Sequence, residues 1–344
     1  MKIAVMNEST RISGLGRYAS DLATALNCDL FSLNLESSIS PLNYPGKVFT
    51  SKPMLSFGSG WYLNHRFPSI FMRVIKKQIE NQITKETVVH YASQGIPKLN
   101  FPNRYIYTVH DLFGLDSRYN RDILAKNFFK RNLKHLLSAK KIITVSNHIS
   151  TQLEKIDFAG KIETIYPAIS RSFKKVDDKV RIRKSLDLPE DKKLVLSVST
   201  QDLRKNLKVI PETMRLLGNE YSLVRVGEPI GQCYSFKNID DEKLNQIYNA
   251  CDVLLFPSLE EGFGYPIAEA MATGLPVVAS DIQVFHEIAE DAGILVQPMP
   301  NELASGVREA IKNGDDLTYR GLEVSKKYSF ERFKERILTV YNQM

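Results

Sequence analysis

Residues 252–276 read DVLLFPSLEEGFGYPIAEAMATGLP. Asp252–Phe256 is apolar after its first residue, close to what a strand covered on both faces of a parallel sheet requires. Pro266 suits the first position of a helix, where its missing N–H would have had no intrahelical partner. Gly262-Phe263-Gly264 stands just before it, so backbone N–H groups are left open at a helix N-terminus. Such a terminus is a ready place for an anion such as a diphosphate. Glu261 precedes the loop, and Glu269 is expected in the first helical turn. The helix dipole would favour an acid there, but a carboxylate beside a phosphate site is costly unless it has other work. One such job is to accept two hydroxyl protons from a ribose diol. The glycines flanking Phe263, with Gly274 after the helix, permit close backbone approach.

The strand–loop–helix unit recurs on both sides. Apolar, β-branched runs lie at Lys2–Met6, Thr87–Tyr91, Arg104–Val109, Lys141–Val145 and Lys161–Tyr166. A second series follows at Lys193–Ser199, Ser222–Gly227, Pro276–Ala279 and Ala292–Val296, with Asp252–Phe256 among them. Helical patterns at Gly16–Leu26, Asp241–Ala250 and Glu302–Lys312 lie between. Alternation over the whole length predicts an α/β fold, doubly wound, and the polar stretch Ser170–Asp191 reads as the junction between two domains. In open α/β sheets ligands bind beyond the carboxyl ends of the strands, so the residues after each strand are the candidates.

After Lys2–Met6, Gly14-x-Gly16-x-x-Ala19 matches a dinucleotide-binding pattern, but about seven residues separate it from the strand, where that pattern needs its first glycine at the strand end. A long glycine-bearing loop entering a helix reads instead as a lip approaching a ligand. The sequence contains no G-x-x-x-x-G-K-[ST], which argues against a P-loop nucleotidase. His110-Asp111 follow Arg104–Val109, where a polar pair is placed to touch a substrate. Ser146 before Asn147-His148 reads as a helix cap. Arg204 and Lys205 follow Lys193–Ser199; a bidentate fork beside a point charge at a strand-to-helix turn suits phosphate.

At 344 residues, 43% hydrophobic and 25% charged, the composition is that of a globular protein of about two domains and not of a disordered or fibrous one. Residues 1–165 hold 22 basic and 12 acidic residues, so the net charge of +7 is carried by the front half. Arg66–Lys77 and Lys126–Lys141 read as basic amphipathic helices. Each either buries its apolar face in a core or meets an anionic membrane surface or acidic acceptor. No helix-turn-helix, zinc-finger or RNP-type pattern accompanies the charge, so nucleic acid is not an expected partner. No apolar run is long enough to span a bilayer, and the N-terminal run is too short for a secretion signal. Cys28, Cys233 and Cys251 follow no metal spacing, so reduced, mostly buried thiols in a cytoplasm are expected.

The block from Glu261 to Val277 resembles the E-x7-E signature of the retaining glycosyltransferases of family 4. Ser13–Tyr18, Thr108–Asp111, Val145-Ser146, Arg204–Asn206, Arg225–Gly227, Asp252–Ser258 and Ser329-Phe330 resemble that family's other landmarks, in its order. The resemblance spans roughly Lys2 to Tyr341. It implies a GT-B fold: two Rossmann-like, doubly wound parallel-sheet domains facing across a cleft. Residues 1–168 would bind the acceptor, residues 169–329 would bind a nucleotide-sugar donor, and the last helix, about 330–344, would pack back on the first domain. Glu269 would hold the donor ribose. Glu261 and backbone groups of Gly262, Phe263, Gly264 and Tyr265 would face the donor sugar and distal phosphate. Arg204 and Lys205 would neutralise the diphosphate in place of a metal. Gly14 and Gly16 would approach the phosphates or sugar, and His110 would contact the sugar or leaving group. Ile239 and Asp241 would lie by the base, and Arg17, Asp111 and Tyr91 by the acceptor. Ser199-Thr200 and the single glycine of NESTRISG depart from the family's usual glycines.

The activity implied is metal-independent hexosyl transfer, of mannose or glucose type and with retention, to a glycan, lipid-linked or other hydroxyl acceptor. GDP-mannose is the first expectation for the donor and a UDP-sugar the next, with no further cofactor. The expected location is cytoplasmic, extending to the cytoplasmic membrane face if the basic helices touch lipid. A nucleotide-sugar epimerase, a sugar phosphorylase, an NAD-dependent oxidoreductase and a catalytically silent binding subunit are the alternatives.

Overall fold

The structure, a computed structural model, describes residues 2–7, 14–32, 48–50, 83–94, 104–116, 118, 127, 129, 130, 133, 134, 136, 139–156 and 162–343. The chain divides into two compact units, residues 1–168 with 331–344, and residues 169–330. Each is built on a parallel sheet. The first contains β1 (Ile3–Asn7), β2 (Asp29–Ser32), β3 (Val48–Thr50), β4 (Val88–Tyr91), β5 (Tyr105–Val109), β6 (Lys141–Thr144) and β7 (Ile162–Thr164), in the order β3-β2-β1-β4-β5-β6-β7. The second contains β8 (Lys193–Val198), β9 (Tyr221–Val226), β10 (Tyr234–Phe236), β11 (Val253–Phe256), β12 (Val277–Ser280) and β13 (Gly293–Val296), in the order β10-β9-β8-β11-β12-β13. Strand order reverses between β1 and β4 and again between β8 and β11. The crevice at such a reversal is where an open α/β sheet receives its ligand.

All ten strands read from the sequence are present, with ends moved by one or two residues. The three not foreseen, β2, β3 and β10, are short, and β3 and β10 are edge strands. Helices whose bounds lie among the described residues are α1 (Gly14–Leu26), α2 (Asn147–Glu154), α3 (Lys179–Ser185), α4 (Ile210–Leu217), α5 (Asp241–Ala250), α6 (Tyr265–Ala272), α7 (Gln283–Ala289), α8 (Pro300–Lys312), α9 (Gly314–Ser325) and α10 (Phe330–Asn342). Helix α1 buries Gly16, Ala19, Leu22, Ala23 and Leu26, the spacing of one helical face. Ser146 caps α2, its hydroxyl accepting from the Ile149 N–H at 3.2 Å. In the second unit Val195, Leu255 and Val278 of the sheet pack with Leu303 and Val307 of α8. Each such burial is worth about 1.5–3 kcal/mol relative to exposure.

The polar stretch read as a junction is built into the second unit. It contains α3, whose buried Arg183 reaches the Ala250 carbonyl at 2.8 Å and the Asp252 carboxylate at 2.7 Å. Asp252 also accepts from the Leu194 N–H at 2.7 Å, so it joins the entrances of β8 and β11. The C-terminal helix α10 belongs almost wholly to the first unit. Phe333 packs on Tyr18 at 5.6 Å, and the Tyr341 hydroxyl meets His90 Nδ1 at 2.9 Å.

The basic segment Arg66–Lys77 lies outside the described residues. Of Lys126–Lys141, the described part buries Leu133 and Leu136 and exposes Lys130, Lys134 and Lys140. The cysteines are free, but only Cys251 is buried; Cys28 and Cys233 are half-buried, contrary to expectation.

Candidate functional site

In the second unit, the β8/β11 reversal brings together two stretches that lie far apart in sequence. Beyond β8 the chain makes a short 3-10 turn over Leu203–Lys205, capped by Asp202, whose carboxylate accepts from the Arg204 N–H at 2.9 Å. Beyond β11 the Leu259 N–H donates to the Arg204 carbonyl at 2.7 Å. Lys205 Nζ then forms an ion pair with the Glu261 carboxylate. The side chains are 15% and 10% exposed, so the pair is largely shielded from water. The ammonium also stands 5.5 Å from the centre of the Phe256 ring. An ammonium has three protons, so Lys205 can hold Glu261 and still donate to a phosphate oxygen.

Arg204 makes an ion pair with Asp202 at 2.8 Å. Burial alone would raise the Asp202 pKa, but the hydrogen bonds from Arg204 outweigh it and hold the carboxyl below its ordinary value. Asn206 takes a left-handed conformation, φ 50°, and donates to the Pro298 carbonyl at 3.3 Å.

Gly264 caps α6 at φ 105°, a backbone region that favours glycine; a Cβ there would meet Phe285 at 3.1 Å. Phe263 is buried, its ring 5.3 Å from those of both Tyr265 and Tyr328, so this part of the loop is anchored by packing. Glu269 is not in the first helical turn. Helix α6 starts at Tyr265, which places Glu269 beyond that turn and removes the dipole argument for it. The residue is 1% exposed, and its Oε2 accepts a hydrogen bond of 2.8 Å from the Tyr248 hydroxyl of α5.

Ile239 and Asp241 lie at the start of α5. Asp240 caps that helix by accepting from the Lys243 N–H at 2.8 Å, and Asp241 is in its first turn, where the dipole favours an acid. Ser258 and Ser280, at or just beyond the ends of β11 and β12, have buried hydroxyls with no hydrogen-bond partner among the described residues.

The first unit holds the other candidates. Gly14 opens α1, Gly16 is buried and Arg17 is half-buried; residues 8–13 of the glycine-bearing loop lie outside the described residues. His110 follows β5, and its Nε2 lies 2.7 Å from the Ala92 carbonyl. A carbonyl can only accept, so Nε2 carries the proton and Nδ1 is left as an acceptor. Burial pushes the His110 pKa down to about 4, so the ring is neutral near pH 7. Gln94 fixes the following turn: its Oε1 accepts from the His110 N–H at 3.0 Å, and its amide donates to the Asp111 carbonyl at 2.9 Å.

Tyr91 is 2% exposed and stacks on Tyr107 at 4.5 Å. Two residues were missed. Tyr248 lies on the apolar face of α5, and a hydroxyl in a core needs a partner, which was the available signal. Gln94 is a polar residue just past the carboxyl end of β4, where ligand-side residues were to be sought.

Residues 178–324 match the family model of the glycosyl transferases group 1. The O-antigen chain mannosyltransferase RfbU of Salmonella typhimurium is 24% identical over 250 residues, 67% of each chain. Two further mannosyltransferase relatives, from Escherichia coli, are covered over less than half of their own length. The structure resembles sucrose-phosphate synthase of Thermosynechococcus elongatus, with TM-score 0.83, 21% identity and coverage of 99% of this chain and 98% of that one. It also resembles Alr3699/HepE of Anabaena, solved in complex with UDP and glucose, with TM-score 0.78, 18% identity and full coverage of both chains.

Proposed function

We propose, from the match of residues 178–324 to the glycosyl transferases group 1 and from the GT-B fold of the chain, that this protein is a retaining hexosyltransferase using a nucleoside-diphosphate sugar. The observation that carries the reading is the arrangement at the β8/β11 reversal. Lys205 and Glu261 are paired there, the α6 N-terminus opens beside them in sequence, and Glu269 is held by Tyr248. Cation, helix N-terminus and buried carboxylate supply complementary contacts for diphosphate, sugar and ribose.

Lys205, with Arg204, stabilises the negative charge that grows on the departing nucleoside diphosphate, the role a divalent metal takes elsewhere. Glu261 holds Lys205 in place and accepts from hydroxyls of the donor sugar. Glu269 accepts from the ribose diol, and Tyr248 fixes its orientation. Neutral His110 presents Nδ1 as a hydrogen-bond acceptor to a sugar hydroxyl. In the transfer, the bond from the sugar's anomeric carbon to the diphosphate oxygen breaks and its electron pair stays on that oxygen. The acceptor hydroxyl oxygen bonds to the same carbon on the same face, and its proton passes to the departing oxygen.

GDP-mannose is the first donor to test, because curated relatives are named mannosyltransferases; UDP-glucose is the second, because a structural neighbour was solved with UDP and glucose. A glycan or lipid-linked hydroxyl is the acceptor class. The test is to incubate the protein with each nucleotide sugar and acceptors of these classes and to read the product by NMR. A product with the donor's anomeric configuration, formed with one nucleoside diphosphate per transfer, is expected. An inverted product would overturn retention, and free interconverted nucleotide sugar would turn the reading to an epimerase.

A further inference from the structure

Arg225 is the penultimate residue of β9 and is 0% exposed. Its guanidinium bends over the exit of β8. Nη1 donates to the Ser197 carbonyl at 3.0 Å and to the Val226 carbonyl at 2.8 Å. Nη2 donates to the Ser199 carbonyl and lies 3.2 Å from the Ser199 hydroxyl. Among the described residues its partners are all carbonyl or hydroxyl oxygens, with no carboxylate. Its Nε is buried with no partner. Burial lowers its pKa only to about 10, so the charge is retained near neutral pH.

A buried cation without an anion is an expensive way to fill a strand position that an aliphatic residue would fill. What it holds is the base of the phosphate-binding loop. From Ser199 the chain runs directly into that turn: the Asp202 N–H donates to the Thr200 carbonyl at 3.1 Å, and the Lys205 N–H to the Asp202 carbonyl at 3.0 Å. Gly227, at φ 130°, marks how close the two strand exits lie, because a Cβ there would collide with the Ser199 carbonyl and approach Arg225 Nη2 at 3.0 Å.

We infer that Arg225 is a positioning residue of the diphosphate site. Its fork fixes the β8 exit that carries Arg204 and Lys205, and its unpaired charge adds attraction for a nucleoside diphosphate. This rests on the proposed function, since it takes the loop after β8 to be the phosphate-binding one.

The test is calorimetric titration of wild type, Arg225→Met and Arg225→Lys with GDP, UDP and the uncharged nucleosides guanosine and uridine, beside donor kinetics. Arg225→Met should lose about tenfold in affinity for the diphosphate, because a unit charge is removed from a water-poor position. It should keep its nucleoside affinity. Arg225→Lys should retain the diphosphate preference and a near-normal KM while kcat falls, because the charge remains and the fork is lost. Unchanged diphosphate affinity in Arg225→Met, or equal loss for nucleoside and diphosphate, would overturn the inference. If Arg225→Met does not fold, wild-type kcat in Arg225→Lys overturns it alone. Wild type that binds neither diphosphate overturns the proposed function, a result distinct from a variant that matches a binding wild type.

Discussion

The two sheets share a strand order that reverses beside the first strand of each, yet the residues gathered at the reversals differ in kind. Beyond β8 and β11 stand charges, Arg204 with Asp202, Lys205 with Glu261, and the buried Glu269, with the buried Arg225 of β9 beside the β8 exit. At the first sheet's reversal the buried polar side chains described on β4 and β5 and just beyond β5 include neutral hydroxyls and imidazoles, with Arg17 and Asp111 half-buried nearby. His90 of β4 bridges Tyr341 and Thr108 at 2.9 and 2.8 Å, Tyr18 meets Thr108 at 2.8 Å, and His110 is spent on a carbonyl. Burial lowers the His90 pKa to about 3 and that of His110 to about 4. Topology therefore fixes where a site is built, and local burial and partners fix which charge it tolerates.

The sharpest way to break this contrast is Lys205→Ala. Removing the cation should lower turnover about 100-fold or more with every donor, the size seen when a group stabilising transition-state charge is lost. It also leaves Glu261 shielded without its partner, so Glu261→Gln in the same background should restore part of any lost thermal stability. Wild-type turnover in Lys205→Ala would remove charge from the account of the second unit.

Next in size is Glu269→Gln. The loss of charge-assisted hydrogen bonds, each about 1.5–3 kcal/mol, should weaken donor binding tenfold or more in a calorimetric titration. Nucleotide affinity equal to wild type would mean that Glu269 serves only Tyr248.

The first unit should reveal itself by pH. His90 and His110 have folded pKa values below the ordinary 6.5, so the unfolded chain binds more protons as pH falls below that value. Their contribution is complete above about pH 7 and is lost on acidification, by about 2 kcal/mol for each histidine at pH 5. Urea unfolding between pH 7 and 5 should show the loss, and His90→Phe should flatten part of it. A pH-independent profile in wild type would contradict the neutral, buried assignment. The smallest effect is Ser146→Ala, which should cost about 1 kcal/mol through the lost cap and leave nucleotide binding unchanged.

Much of this was legible in the sequence because local chemistry and fold agree there. Continuous apolar runs such as Val253–Phe256 gave strands, and Pro266 after Gly264 gave the start of α6. The positions beyond the strands gave Arg204, Lys205, Glu261 and His110. What escaped depends on contacts distant in sequence. Strand β10 is a three-residue edge strand defined by pairing with β9 and not by an apolar run. The start of α6 at Tyr265 places Glu269 one turn further into the helix than its spacing from Pro266 suggested. The stacking of Tyr91 on Tyr107, a contact across two strands, is not written in either segment alone. The neutral state of His110 follows from burial and a carbonyl partner, neither of which a lone histidine in a sequence reveals.

On the proposed function, the second unit holds a nucleoside diphosphate through Lys205, Glu261 and Glu269. The decisive measurement is thermal unfolding of wild type and Glu269→Ala with GDP, UDP, ADP, their common sugar conjugates and NAD. A ligand at about 100 times its dissociation constant stabilises the native state by about 2.7 kcal/mol, which is visible as a shift of a few degrees. One nucleotide family should raise the wild-type midpoint, and Glu269→Ala should fold but lose the shift. A shift with NAD alone, or one of equal size in Glu269→Ala, would contradict the claim.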